Sequence, residues 1–116
     1  MAKHIETGKT GESISVEYLV SLQYQMLHTN WRHKHWEIDI IATKNGVLHF
    51  IEVKTKSTNT YGFPEDEVTP KKFRFLTQAA EEYLYLNPQW KRIQFDILAI
   101  TLYPQMEIKL IEDVYL

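Results

Sequence analysis

Asn45-Gly46, set between two apolar runs, constrains the fold of this chain more than any other pair of residues in it. Both positions of a two-residue type I′ turn need positive φ, which Asn and Gly adopt at least cost. Residues 36–43 and 47–56 are therefore expected to fold back on each other as a hairpin. Counting outward from the turn sets Lys44 against Val47, Ile41 against Phe50, Asp39 against Glu52 and Glu37 against Lys54. Alternation puts Ile38, Ile40, Ala42, Ile51 and Val53 on an apolar side suited to packing under a helix. Glu37, Asp39, Ile41, Phe50, Glu52 and Lys54 fall on the other side, apolar near the turn and charged toward the open end. Opposed residues on one sheet face have Cβ atoms ~5 Å apart, so Asp39 and Glu52 should repel. A divalent cation between them is the natural offset.

The remaining elements follow from periodicity. Residues 1–8 read as a polar lead-in, and a helix is expected from Thr10-Gly11-Glu12-Ser13 to about His28-Thr29-Asn30. Val16, Leu19, Val20, Gln23, Met26 and Leu27 would lie on its buried face, with Glu12 at the top of that face. Residues 57–68 read as a surface loop. Thr69 as N-cap and Pro70 at the first helical position start a second helix, buried through Phe73, Leu76, Ala80, Tyr83 and Leu84 and stopped at Asn87-Pro88. Residues 93–102 suit a central strand, and 106–111 alternate like an edge strand. The expected architecture is α/β (α+β), a mixed central sheet flanked by helices in the order α-β-β-α-β-β, with residues 1–116 as one domain.

Composition excludes little but usefully. There is no cysteine, which removes disulfides and thiolate metal sites and is compatible with a cytoplasmic location. No apolar run reaches membrane-spanning length, and no membrane partner is expected. A net charge of −2 argues against binding nucleic acid by bulk charge alone. Basic residues nevertheless gather at element ends, and Arg32, Lys56, Lys71 and Lys72 are the candidate phosphate contacts.

Asp39, twelve residues, then Glu52-Val53-Lys54 has the form of the D…(D/E)xK core of the PD-(D/E)xK nuclease superfamily. Gly8-Lys9-Thr10-Gly11-Glu12, Asn30-Trp31-Arg32, Glu37-Ile38-Asp39-Ile40-Ile41, Ile51-Glu52-Val53-Lys54 and Phe95-Asp96 occur in the order seen in the YraN-like family. That family is read as endonucleases of largely unassigned biological role, similar in core fold to archaeal Holliday-junction resolvases. The resemblance runs from Gly8 to about Ile100. It implies a restriction-endonuclease-like core, a helix-borne acidic site residue at Glu12, metal ligation by Asp39 and Glu52, and a catalytic lysine at Lys54. The chemistry explains the residue types. Hydrolysis of a phosphodiester needs a metal to activate water and bind a non-bridging oxygen. Mg²⁺ or Mn²⁺ takes few carboxylates, and the Val53 main-chain carbonyl could be a third ligand. The chain departs from the family at Trp36, where glycine is common, and at Thr55-Lys56, where an arginine often follows the lysine.

The function expected is metal-dependent hydrolysis of DNA, on branched or otherwise structured substrates by analogy. A homodimer is admitted by the same analogy, because resolvase-like action benefits from two sites. The alternative is a non-catalytic nucleic-acid-binding or interaction module that keeps the fold, including one that dimerises through the 106–111 edge. Blander readings stand beside the sharp ones. Glu37 and Lys54 could pair across strands while Asp39 and Glu52 reach solvent. His33 and His35 lack a third ligand at metal spacing, so surface histidines are the better account. Trp31 and Trp36 are expected to pack at the helix–strand junction ahead of stacking on bases. Gln78 and Tyr83 are one residue too far apart for the glutamine-tyrosine signature of recombination-type nucleases. Asp96, a charge in a central strand, is expected to hydrogen-bond structurally.

Overall fold

The computed structural model describes residues 3–115, with side chains from residue 11 onward. Its elements are α1 (Lys3–Ser21), β1 (Gln25–His33), β2 (Trp36–Lys44), β3 (Val47–Lys56), a short 3₁₀ turn (Pro64–Glu67), α2 (Pro70–Leu86), β4 (Ile93–Thr101) and β5 (Glu107–Ile111). One five-stranded sheet has the order β1-β2-β3-β4-β5. Every neighbouring pair is antiparallel except β3 and β4. That parallel pair requires a long crossover, and α2 supplies it. The arrangement is the α+β, restriction-endonuclease-like core that the sequence implied, with β5 at a sheet edge as expected.

The element order differs by one strand: it is α-β-β-β-α-β-β. The stretch expected to finish the first helix is instead β1. Helix α1 stops at Ser21 because Gln23 adopts a left-handed conformation (φ 74°). The Tyr24 N–H then returns to the Leu19 carbonyl and the Gln23 N–H to that of Val20, both at 3.0 Å. This is a Schellman closure with glutamine where glycine is usual. At the other end the backbone is helical from Lys3, well before the expected start. Residues 3–9 hold no proline, and one glycine costs only ~1 kcal/mol in a helix.

Two apolar layers sandwich the sheet. On the α2 side Ile38, Ile41, Leu48, Phe50, Phe73, Leu76, Ala80, Tyr83 and Ile97 form one cluster. On the α1 side Leu19, Tyr24, Ile40, Ala42, Ile51 and Leu98 form the other, with Val53 packed against it. Ile38 thus packs on the other face of the sheet from Ile40, contrary to the expected side, the alternation breaking between them where the ladder to β3 has ended. The buried stripe of α1 is Gly11, Ser15 and Leu19, and Val20 is 52% exposed, contrary to the expected face. A Cβ at Gly11 would collide with the Thr55 side chain, so this small-residue stripe is what lets α1 lie close on β3.

Helix α2 follows its sequence signals. Thr69 accepts the Lys72 N–H at 3.2 Å, Pro70 is the first helical residue, and the helix ends at Leu86. Among the described residues no helix is long and apolar enough to cross a membrane.

Candidate active site at a fork in the sheet

The Asn45-Gly46 turn has positive φ at both residues (53° and 78°), as a type I′ turn demands. The counted register holds from Lys44↔Val47 to Ile40↔Ile51. It ends one pair before Asp39 and Glu52. Beyond that point β2 continues to pair with β1 as far as Trp36, while β3 continues along β4 as far as Lys56. The sheet therefore forks, with Asp39 on one prong and Glu52 on the other. Opening a ladder leaves backbone groups that need partners. The Val53 N–H finds one in Asp39, whose Oδ2 accepts it at 2.9 Å.

Opposite Asp39 on β1, the register places Asn30, between the pairs Thr29↔Ile40 and Trp31↔Ile38. Asn30 has φ 53°, a left-handed conformation that asparagine tolerates. Its side-chain Nδ2 donates to Glu12 Oε1 at 2.7 Å. Asp39 sits at this double irregularity and lines cavities on both sheet faces. On the α1 side it shares a cavity of about 230 Å³ with Glu12, Ser15, Asn30, Val53 and Thr55. On the α2 side it shares one of about 220 Å³ with Glu37, Glu52, Lys72, Phe75 and Leu76.

Val53 packs on the α1 side, so its neighbours Glu52 and Lys54 point to the α2 side. Lys54 Nζ stands 3.7 Å from Glu52 Oε1, and both side chains are 24% exposed. Burial, and then the Asp39 charge, push the Glu52 carboxyl from its ordinary 4.5 to about 7 against the pull of Lys54. Burial also raises Asp39, opposed by the Val53 N–H and by Lys54. The cross-strand pairing of Glu37 with Lys54 is not formed. Glu37 pairs with Arg32 at 2.9 Å, and the two acids of the fork are turned inward instead of reaching solvent.

The sequence-predicted residues thus separate into groups. Asp39, Glu52 and Lys54 come together. Glu12 faces Asp39 across the α1-side cavity, and among the described residues no three His, Asp or Glu side chains close on one point. Lys72 joins the acid pair on the α2 side. Lys71 is exposed in the same first turn of α2, Arg32 is held by Glu37, and Lys56 lies 3.6 Å from Glu67. His33 and His35 do not share a strand face: His33 ends β1 and lies 3.5 Å from Glu82, whereas His35 is in the turn. Trp31 and Trp36 pack against the α2-side core. Asn30, quoted above only within the Asn30-Trp31-Arg32 motif and with no role, and Phe75, not quoted at all, both belong to the site surroundings. Beyond that motif the first reads as the end of the expected helix, and the second reads as an ordinary helix residue.

The acid pair makes stability depend on pH. A carboxyl whose folded pKa lies above its unfolded value favours folding most at low pH. That contribution is present below about 4.5 and is lost as pH rises through about 7. Glu52→Gln removes the titration. In urea melts without metal, the variant should gain on the parent by a few kcal/mol between about pH 5 and about pH 8. An identical stability difference at both pH values would contradict the geometry of the pair.

Comparison with known proteins agrees with the sequence motifs. The family model described as "Uncharacterised protein family UPF0102" matches residues 11–100. The chain belongs to the UPF0102 family, which is the YraN-like family of the motifs above. A UPF0102 protein of Flavobacterium psychrophilum is 45% identical over 100 residues, covering 86% of this chain and 84% of the relative. One from Bacteroides fragilis is 43% identical over 100 residues, with 86% and 83% covered. One from Cytophaga hutchinsonii is 41% identical over 99 residues, with 85% and 88% covered. The matched span of this UPF0102 chain contains Glu12, Asp39, Glu52 and Lys54, strands β1 to β3, and β4 up to Ile100.

Proposed function

We propose that this UPF0102 protein is a metal-dependent nuclease that hydrolyses phosphodiester bonds in DNA. The observation that carries the reading is the fork. It holds two carboxylates inward, against burial and mutual repulsion, with a lysine beside them. A stretch of sheet under no functional demand would relieve both costs by placing apolar residues there. Membership in a family with the D…(D/E)xK pattern adds to this reading.

The donor set fits Mg²⁺ or Mn²⁺: hard oxygen ligands, two carboxylates, and the Val53 carbonyl on the same β3 segment, with room for water and phosphate. Asp39 and Glu52 would hold the ion, which when bound lowers the pKa of a water and offsets phosphate charge. The Val53 N–H fixes one Asp39 oxygen and leaves the other to face the cleft. Lys54, kept near Glu52, is placed to donate to the attacking water or to a phosphate oxygen. Glu12, tied by Asn30, would act through water from the α1 side. Lys72, with Lys71, Arg32 and Lys56 farther out, would meet the flanking phosphates, from which DNA binders draw much of their affinity.

Purified protein should nick DNA in MnCl₂ or MgCl₂ and leave it intact in EDTA. Calorimetry should show the ion binding to the parent and not to Asp39→Ala. DNA affinity that is indifferent to metal, with no metal binding and no cleavage, would replace the nuclease by a non-catalytic binding module.

A further inference from the structure

Phe75 stands at the mouth of the acid cleft and is 39% exposed. It is not solitary. The Trp36 ring lies 5.0 Å from it, tilted by 45°, and the His35 ring lies 4.2 Å from Trp36 and 6.4 Å from Phe75. Trp36 is half-buried against the α2-side core, so it props Phe75 and His35 from beneath while those two remain open. Scattered exposed aromatics are common and mean little. Among the described residues, however, Tyr61, Tyr85 and Tyr115 are more exposed still and pack against no other ring. A second ring group, His28, Trp31 and His33 around Tyr83, also joins two elements, but among the described residues only the group of Phe75 puts a ring into the cavity of Asp39, Glu52 and Lys72.

Resting on the nuclease reading, we infer that Phe75, propped by Trp36 and flanked by His35, is a stacking platform for an unpaired base next to the phosphate being cut. The substrate class is then DNA with an extruded, frayed or single-stranded nucleotide at the cleavage site. A ring at this place has no use for intact duplex, whose bases are already stacked on each other. An unpaired base offers a free π-face, which aromatic side chains bind with little regard to sequence. Lys72 lies in the same cleft and can take the charge of that nucleotide's phosphate, so an aromatic face and a cation stand together as a single nucleotide requires.

The test uses a short DNA duplex with one unpaired 2-aminopurine, and its fully paired counterpart. In EDTA, where nothing is cut, the parent should quench the unpaired probe on binding and prefer it to the paired duplex. Phe75→Leu keeps the apolar bulk, loses the ring, and should bind the unpaired probe on the order of tenfold more weakly, without quenching. Phe75→Trp should quench, and Tyr85→Leu, on another face of α2, should behave as the parent. Thermal melts establish that the variants are folded. Equal quenching by the parent and Phe75→Leu, or no preference for the unpaired probe in the parent, overturns the inference. Metal-dependent cleavage without quenching would leave the nuclease standing and remove the platform. Quenching that needs Phe75, without cleavage in any metal, would do the reverse.

Discussion

Glu52→Gln should lower metal-dependent DNA cleavage by on the order of 10³-fold or more. The magnitude follows from what the side chain does at the fork. It is one of two carboxylates that can hold the ion, and its isosteric amide keeps volume and hydrogen bonding while removing the negative charge. It is also the partner that holds Lys54, 3.7 Å away, so two groups are disturbed at once. The companion variants separate these roles. Asp39→Asn should lose as much activity, because it too deletes a ligand charge, yet it retains an oxygen for the Val53 N–H. Lys54→Ala should bind metal as the parent does and still cleave poorly, since no ligand is lost. Glu12→Gln should lose less than either acid, because Glu12 meets the site from across a cavity and is held by Asn30. Single-turnover rates at saturating Mn²⁺ read these differences directly. Retention of parental cleavage by folded Glu52→Gln protein would sink the mechanism.

Such a site was legible where its geometry depends on the local chain. The Asn45-Gly46 turn dictates backbone conformation at both residues, and parity along two strands then fixes which side chains meet. That is why Asp39, Glu52 and Lys54 could be placed by counting. The count failed from Asp39 with Glu52 outward, Glu37 with Lys54 included, because a fork is decided by what lies on the outer sides of both strands. Here β1 holds one prong and β4 the other, and neither partnership is written in the hairpin. Strand β1 itself was obscured by an accident of residue type. Gln23 fills a left-handed position where glycine announces a helix end, and Met26 and Leu27 continue a helical spacing by chance. The role of Gly11 and Ser15 was hidden for a related reason. A stripe defined by smallness carries no hydrophobic period, so the pattern of Val16 and Val20 stood out although they lie off the contact. Asp96 was easier: a lone charge in an otherwise apolar central strand must find partners, and it does.

Asp96→Ala is expected to destabilise the protein by about 3–5 kcal/mol, a large share of the ~5–15 kcal/mol typical of a domain. Asp96 is 1% exposed, and three donors converge on it. His49 Nδ1 lies 2.7 Å from Oδ2, while Gln94 Nε2 and the Asp113 N–H reach Oδ1 at 2.9 and 3.0 Å. A carboxylate only accepts, so the Nδ1 of His49 carries the shared proton. His49 is buried too, in a T-shaped contact with the Tyr24 ring whose centroid lies 5.0 Å from its own. Burial and the charges of Asp96 and Glu112 push the Tyr24 phenol up to about 12, which keeps it neutral in this setting. Removing the carboxylate leaves the imidazole N–H, the amide and a backbone N–H without an acceptor where water reaches poorly, and each such loss is costly. The effect should spread along the chain, because Asp113 and the adjoining Val114–Phe95 bond tie the C-terminal segment to β4. Asp96 pairs with Ile51, one residue before Glu52, so the same network steadies the strand that carries the proposed ligand. Urea denaturation gives the size of the loss, and an unchanged m-value shows that the unfolded state has not altered. The double variant His49→Leu/Asp96→Leu, which removes both members of the pair, should recover part of it. A loss below about 1 kcal/mol in Asp96→Ala would show that these hydrogen bonds are not what holds β3, β4 and the C-terminal segment together.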